Sequence, residues 1–176
     1  MKFVILGVGS NRSWMGNNSL ELLRKACSEL AEFVSDFKIS SVYRTKPMYL
    51  QNQDSFLNMV LCGFVKDDIT PQLLLEKIHK IEASLGRNRK NEVRNGPRSI
   101  DIDIEIFDKI KVSSSNLEIP HPRLKERAFV LIPILEIFEE CADFIDRDEF
   151  VFWLKQLDIS DVEKILPKEE FLKKII

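Results

Sequence analysis

Gly96-Pro97-Arg98-Ser99-Ile100-Asp101-Ile102-Asp103-Ile104 is the stretch around which the rest of the chain can be ordered. Isoleucine alternating with polar residues has the period of a half-buried strand. Ile100, Ile102 and Ile104 are therefore expected to face a core, with Asp101 and Asp103 on the opposite side. Carboxylates two residues apart on a strand emerge roughly 7 Å from each other and repel unless something positive lies between them. A hard divalent cation fits that gap. The Gly-Pro turn brings the Arg98 guanidinium to its mouth, which suits an anionic phosphate. A plain solvent-facing antiparallel strand shows the same alternation, so the pattern alone leaves both readings open.

Upstream of this strand, Thr70-Pro71 is a helix start, Leu74, Ile78, Ile81 and Leu85 are its buried stripe, and Gly86 stops it. Glu82 lies beside the stripe and can anchor a guanidinium from the basic run Arg87, Arg89, Lys90, Arg94 and Arg98. Nearer the start, Phe3 to Val8 is a strand ended by Gly7-Val8-Gly9-Ser10-Asn11. Ser19 is read as the cap of a helix that points Leu20, Leu23, Cys27, Leu30 and Phe33 inward. Phe37 to Thr45 and Phe56 to Val65 read as strands joined by a long polar connection, a candidate lid.

Downstream, a hairpin through Asp108-Lys109 to Val112 is expected, then a short helix over Leu124 to Leu131. Further helices are expected at Asp148 to Leu157 and from Ser160, where Glu163 would complete a capping box. The order βαββαβ predicts an α+β fold, a ferredoxin-like plait with an added hairpin and C-terminal helices, in one domain over residues 1–176.

An apolar content of 44% in 176 residues supports a single core. The net charge of −2 provides no field for nucleic acid. Met1 to Val8 is too short for a signal or a membrane span, so a cytoplasmic protein with no membrane partner is expected, and the chain is expected to be a monomer. Cys27, Cys62 and Cys141 lie far apart with no C-x-x-C, which suggests neither a disulfide framework nor a zinc cage.

The chain has no P-loop sequence, Gly7 and Gly9 lack the third glycine of a dinucleotide fingerprint, and the kinase triplets are absent. What remains is an acidic strand, the basic loop entering it, and Pro120-His121-Pro122-Arg123 followed by Arg127. This set suits transfer of a phosphorus group, where catalysis is mostly positioning and charge neutralisation.

Spaced segments carry a family likeness: Leu6 to Asn11, Ser41-Val42-Tyr43-Arg44-Thr45-Lys46-Pro47, Phe56-Leu57-Asn58, Ile81 to Arg87, Gly96 to Asp103, Ile119 to Arg123, and Arg127 to Pro133. Together they resemble the 6-hydroxymethyl-7,8-dihydropterin pyrophosphokinases of folate biosynthesis. The resemblance implies that ATP gives its terminal pyrophosphoryl unit to the hydroxymethyl oxygen of a reduced pterin and leaves as AMP. It implies two Mg2+ ions held by Asp101 and Asp103, with Arg87 and Arg98 also counted as catalytic. Nucleotide contacts are implied for Arg87, Lys90, Arg98, Ile104, His121 and Arg127. The pterin pocket is implied at Thr45, Met48, Phe56, Asn58 and Phe129, while Asn95 stands where relatives often carry an aromatic. Two rivals remain: a nucleotidyltransferase, which would release pyrophosphate, and a noncatalytic plait that binds a ligand.

Overall fold

The computed structural model describes residues 1–48, 50, 52–89, 93 and 96–173. Its elements run β1 (Lys2–Ser10), α1 (Ser19–Leu30), β2 (Ser35–Ile39), β3 (Val42–Thr45), β4 (Phe56–Val65), α2 (Pro71–Ser84) and β5 (Asp101–Phe107). There follow β6 (Val112–Ser113), β7 (Glu118–Ile119), α3 (Ala128–Glu136), α4 (Arg147–Leu154), β8 (Val162–Leu166) and α5 (Lys168–Leu172). The main sheet is antiparallel in the order β5-β1-β4-β3-β8, and β2 also pairs with β4.

The alternation within β1 explains both layers. Val4, Leu6 and Val8 join the core under α1 and α2, where Leu22, Leu23, Leu74 and Ile78 are fully buried. Phe3 and Ile5 face the other way, into a second core with Leu131 and Ile134 of α3 and Phe150 of α4. Ile100, Ile102 and Ile104 enter the first core, as their spacing requires. No described helix is long and apolar enough to cross a membrane.

Several boundaries differ from the sequence reading. Asn18, not Ser19, caps α1: its side chain accepts from Glu21 N–H, and the Glu21 carboxylate accepts from Asn18 N–H. The helix ends at Leu30, so Phe33 packs from the following turn and Leu22 and Ala26 take up the buried face. The strand expected over Phe37 to Thr45 is two strands, broken at Ser40, whose hydroxyl accepts from Val60 N–H and occupies a ladder position. Val112 pairs with Ile119 rather than with β5, which moves the expected hairpin one element onward.

Leu124–Glu126 is a 3-10 turn, and the α-helix starts only at Ala128 and runs on to Glu136. The helix expected at Asp148 to Leu157 begins one residue earlier, behind an Asp146 cap, and ends at Leu154. The helix expected from Ser160 is instead β8: Val162 to Leu166 adds to the open edge of β3, and that pairing outweighs the local capping signal.

Candidate active site

On the face of β1 that carries Phe3 and Ile5, the next inward positions are Gly7 and Gly9. They form a bare floor where the second core stops. Across from them, Asp101 is in register with Gly9 and Asp103 with Gly7. A β-bulge between Ile5 and Leu6 places Glu105 as the extra residue of β5. An open cleft of about 720 Å³ lies over this floor, lined among others by Thr45, Phe56, Asn58, Arg98, Asp101, Asp103, Glu105, Arg127 and Phe129. Its mostly apolar walls, with charged groups gathered at one end, suit a flat molecule with a charged extension.

Arginines fill the acidic end. Asp101 pairs with both Arg87 and Arg98, and Asp103 Oδ2 accepts from Arg127 Nη1 at 2.7 Å. Burial pushes the Asp101 carboxyl up, but the Arg87 and Arg98 charges outweigh it and hold the group below the usual carboxylate range. Arg87 is fixed from behind. Its Nη1 also donates to Glu82 Oε1 at 2.8 Å and to Ile100 O at 3.1 Å. Glu82 is 1% exposed and also accepts from Arg89 and from Ile102 N–H, joining α2, the basic loop and β5 at one carboxylate.

Glu105 is fully buried, and burial followed by the Asp103 charge pushes its carboxyl up to about 8. His121 Nδ1 accepts from Arg123 N–H, its Nε2 lies 4.0 Å from Asp103 Oδ2, and burial lowers its proton affinity. An acceptor at Nδ1 puts the proton of the neutral ring on Nε2, facing the acidic pair.

The opposite end of the cleft is neutral. Asn58 Nδ2 donates to Thr45 Oγ1 at 2.7 Å, and its Oδ1 sits so close above Gly9 that an added Cβ would be 2.7 Å away. Phe56 and Phe129 are half-buried, each beneath an arginine: Arg98 Cζ lies 5.4 Å from the Phe56 centroid and Arg127 Cζ 5.7 Å from that of Phe129. One face of each ring thus carries a cation.

The family model for 7,8-dihydro-6-hydroxymethylpterin-pyrophosphokinase matches residues 5–139. The chain belongs to this family. A 2-amino-4-hydroxy-6-hydroxymethyldihydropteridine pyrophosphokinase of Aquifex aeolicus is 42% identical over 137 residues, which cover 78% of this chain and 81% of that protein. The enzyme of the same name from Bacillus subtilis is 42% identical over 120 residues, covering 67% of this chain and 70% of that one. Among solved structures, Plasmodium falciparum HPPK-DHPS A437G with SDX-DHP aligns at a TM-score of 0.64 and 14% identity. The alignment covers 88% of this chain but 45% of that one, so it supports the fold of the shared part. As a pyrophosphokinase the protein is a transferase of phosphorus-containing groups in folate biosynthesis.

Of the residues expected for such an enzyme, the structure gathers Thr45, Met48, Phe56, Asn58, Arg98, Asp101, Asp103, Arg127 and Phe129 around one cleft. Arg87 stands behind Asp101, and His121 approaches from the β5 side. The Ile104 side chain is in the core. Ile102 N–H donates to Glu82 and not to β1, so this register turns the Ile104 main-chain groups to the free edge of β5 as well. Lys90 lies outside the described residues, as does Asn95. Among the described residues no three His, Cys, Asp or Glu side chains form a metal cluster, and the acidic pair is balanced by guanidiniums.

Two members of the site were not anticipated. Asn11 donates to Gln53 Oε1 and Asp54 O and accepts from Arg98 N–H, clasping the loop before β4 to the turn before β5. Its signal was its place directly after the β1 glycines. Glu105 was equally legible, because it continues the alternation of Asp101 and Asp103.

Proposed function

We propose that the neutral end of the cleft holds the reduced pterin and the arginine-lined end holds the triphosphate of ATP. The observation that carries this reading is the pairing of Asp101 and Asp103 with guanidiniums beside a glycine floor, a charge arrangement that an anion and a divalent cation can take over together. The aromatic faces of Phe56 and Phe129 would sandwich the heterocycle, and the Asn58 amide would read its hydrogen-bonding edge while Thr45 fixes the amide. Met48, 45% exposed at the rim, would close against the ring. Arg98 would turn from Asp101 to the phosphates, and Arg127, on leaving Asp103, would stay beside them with Arg87 and His121 in support. The Ile104 main chain at the open edge of β5 would contact the nucleotide base.

The donor set suits Mg2+, because Asp101 and Asp103 offer hard oxygen ligands on one face. Two ions held there would neutralise the triphosphate and lower the pKa of the hydroxymethyl group. In the transfer, the hydroxyl oxygen would bond to the β-phosphorus of ATP, the bond to the AMP oxygen would break so that AMP leaves, and the hydroxyl proton would be released to the medium. The chain's own part is to align the two substrates, balance charge and keep water out.

The strand order fits a ferredoxin-like plait in which β2 and β3 share one strand position and β8 extends the edge. Three buried, unbridged cysteines are in keeping with a cytosolic protein, and the chain would act as a monomer.

An assay of ATP turnover with and without 6-hydroxymethyl-7,8-dihydropterin tests the proposal. AMP is expected only when the pterin is present, with one pterin pyrophosphate formed per AMP. Release of pyrophosphate would instead point to the nucleotidyltransferase, and no turnover to a binding protein.

A further inference from the structure

Glu105 and Arg127 carry matching defects. Among the described residues neither Glu105 carboxyl oxygen has a hydrogen-bond partner, and Arg127 Nε is buried without an acceptor. Arg127 Nη1 bonds Asp103 Oδ2 at 2.7 Å and stops 3.6 Å from Glu105 Oε1. The guanidinium therefore stands between two carboxyl groups, bonded to one and roughly 0.5 Å short of bonding the other.

We propose that Glu105 is the seat to which Arg127 transfers when a divalent cation takes Asp103. The inference rests on the metal role proposed above for Asp103. A cation and a guanidinium at the same carboxylate oxygen repel each other, so loading the metal must displace Arg127. Arg127 cannot escape to water cheaply. Its side chain is 14% exposed and is held over the Phe129 ring. Left without a partner, its buried charge would oppose metal binding.

Glu105 removes that opposition. Its carbonyl oxygen accepts N–H bonds whether or not the carboxyl is ionised, so the transfer requires no proton movement. Gly7 keeps the place clear, since a Cβ there would lie 2.9 Å from Glu105 Oε1. Acting through Arg127, Glu105 is a positioning residue.

The test is Mn2+ binding, followed by electron paramagnetic resonance with a saturating nonhydrolysable ATP analogue and no pterin. Glu105→Leu should raise the Mn2+ concentration for half-saturation roughly tenfold, within the range of ordinary coupling between sites. Glu105→Gln, which keeps an acceptor oxygen, should stay close to the unaltered protein. In an Arg127→Met background, Glu105→Leu should cause no further loss.

The proposal is overturned if Glu105→Leu binds Mn2+ normally, if Leu and Gln variants lose equally, or if the loss persists undiminished without Arg127. If the unaltered protein itself fails to bind Mn2+ with the analogue, the metal reading fails first and the handover with it. Pterin-dependent AMP release, measured separately, still judges the pyrophosphokinase reading.

Discussion

At the Asn58 end of the cleft a neutral hydrogen bond to Thr45 holds the amide in place, whereas at the other end Asp101 and Asp103 are held by guanidiniums. In the proposed complex Asn58 would keep this bond as the pterin arrives. The aspartates must give up their arginines before they can hold anything else. In that proposal the same floor of Gly7 and Gly9 would serve a preformed half and a half that changes partners. Rigidity suits recognition of a flat heterocycle, and exchange suits a highly charged second substrate.

The sharpest way to break this contrast is at the acidic end. Asp103→Asn should lower kcat by roughly a hundredfold to a thousandfold, because charge neutralisation in the transition state is lost. Asp101→Asn should do the same and also destabilise the protein, since Arg87 and Arg98 would be left facing each other. Steady-state kinetics beside thermal melts checks both effects. Wild-type kcat in either variant would remove the aspartates from the chemistry.

Next in size is Glu82→Ala. This carboxylate is buried and serves Arg87, Arg89 and Ile102 N–H, so its loss should cost about 3 kcal/mol of stability. Urea midpoints will read the cost. A loss below about 1 kcal/mol would show that the arginines hold themselves.

Asn58→Ala sharpens the other half. Calorimetry should show pterin affinity reduced roughly tenfold to a hundredfold with nucleotide affinity nearly unchanged. The reverse pattern would exchange the two ends of the cleft.

The smallest effect lies outside the cleft, at Glu136. Burial raises this carboxyl, but hydrogen bonds from Lys164, Ser41 and Tyr43 outweigh burial and hold it below its ordinary value. A carboxylate lowered in the folded state stabilises above its unfolded pKa, and that contribution fades as the pH falls through the folded one. Glu136→Gln should therefore lose up to about 1 kcal/mol at neutral pH and less in acid. Melting curves across the acid range will show whether the two proteins converge.

How much of this was legible in the sequence varied with the kind of information each residue carries. The Ile100 to Ile104 alternation placed β5, its core face and the acidic pair, because period two is a local property. Residues gathered from distant segments, such as Thr45 beside Asn58, were reached only through the family resemblance. Ser160 and Glu163 carried a genuine capping pattern, but pairing with β3 is nonlocal and prevailed. The Gly-Pro turn brought Arg98 near the aspartates, but the pairings of Arg87 with Asp101 and of Arg127 with Asp103 were hidden. Spacing shows which charges lie near, but not which ones meet in the fold.

The most direct test of the contrast between the two halves is side-chain nitrogen NMR of the arginine Nε–H groups. Signals from Arg98 and Arg127 should move when Mg2+ and a nonhydrolysable ATP analogue are added together, and pterin alone should leave the ion pairs of Asp101 and Asp103 in place. Equal movement with pterin alone, or no movement with Mg2+ and nucleotide, would contradict the exchange of partners on which this account rests.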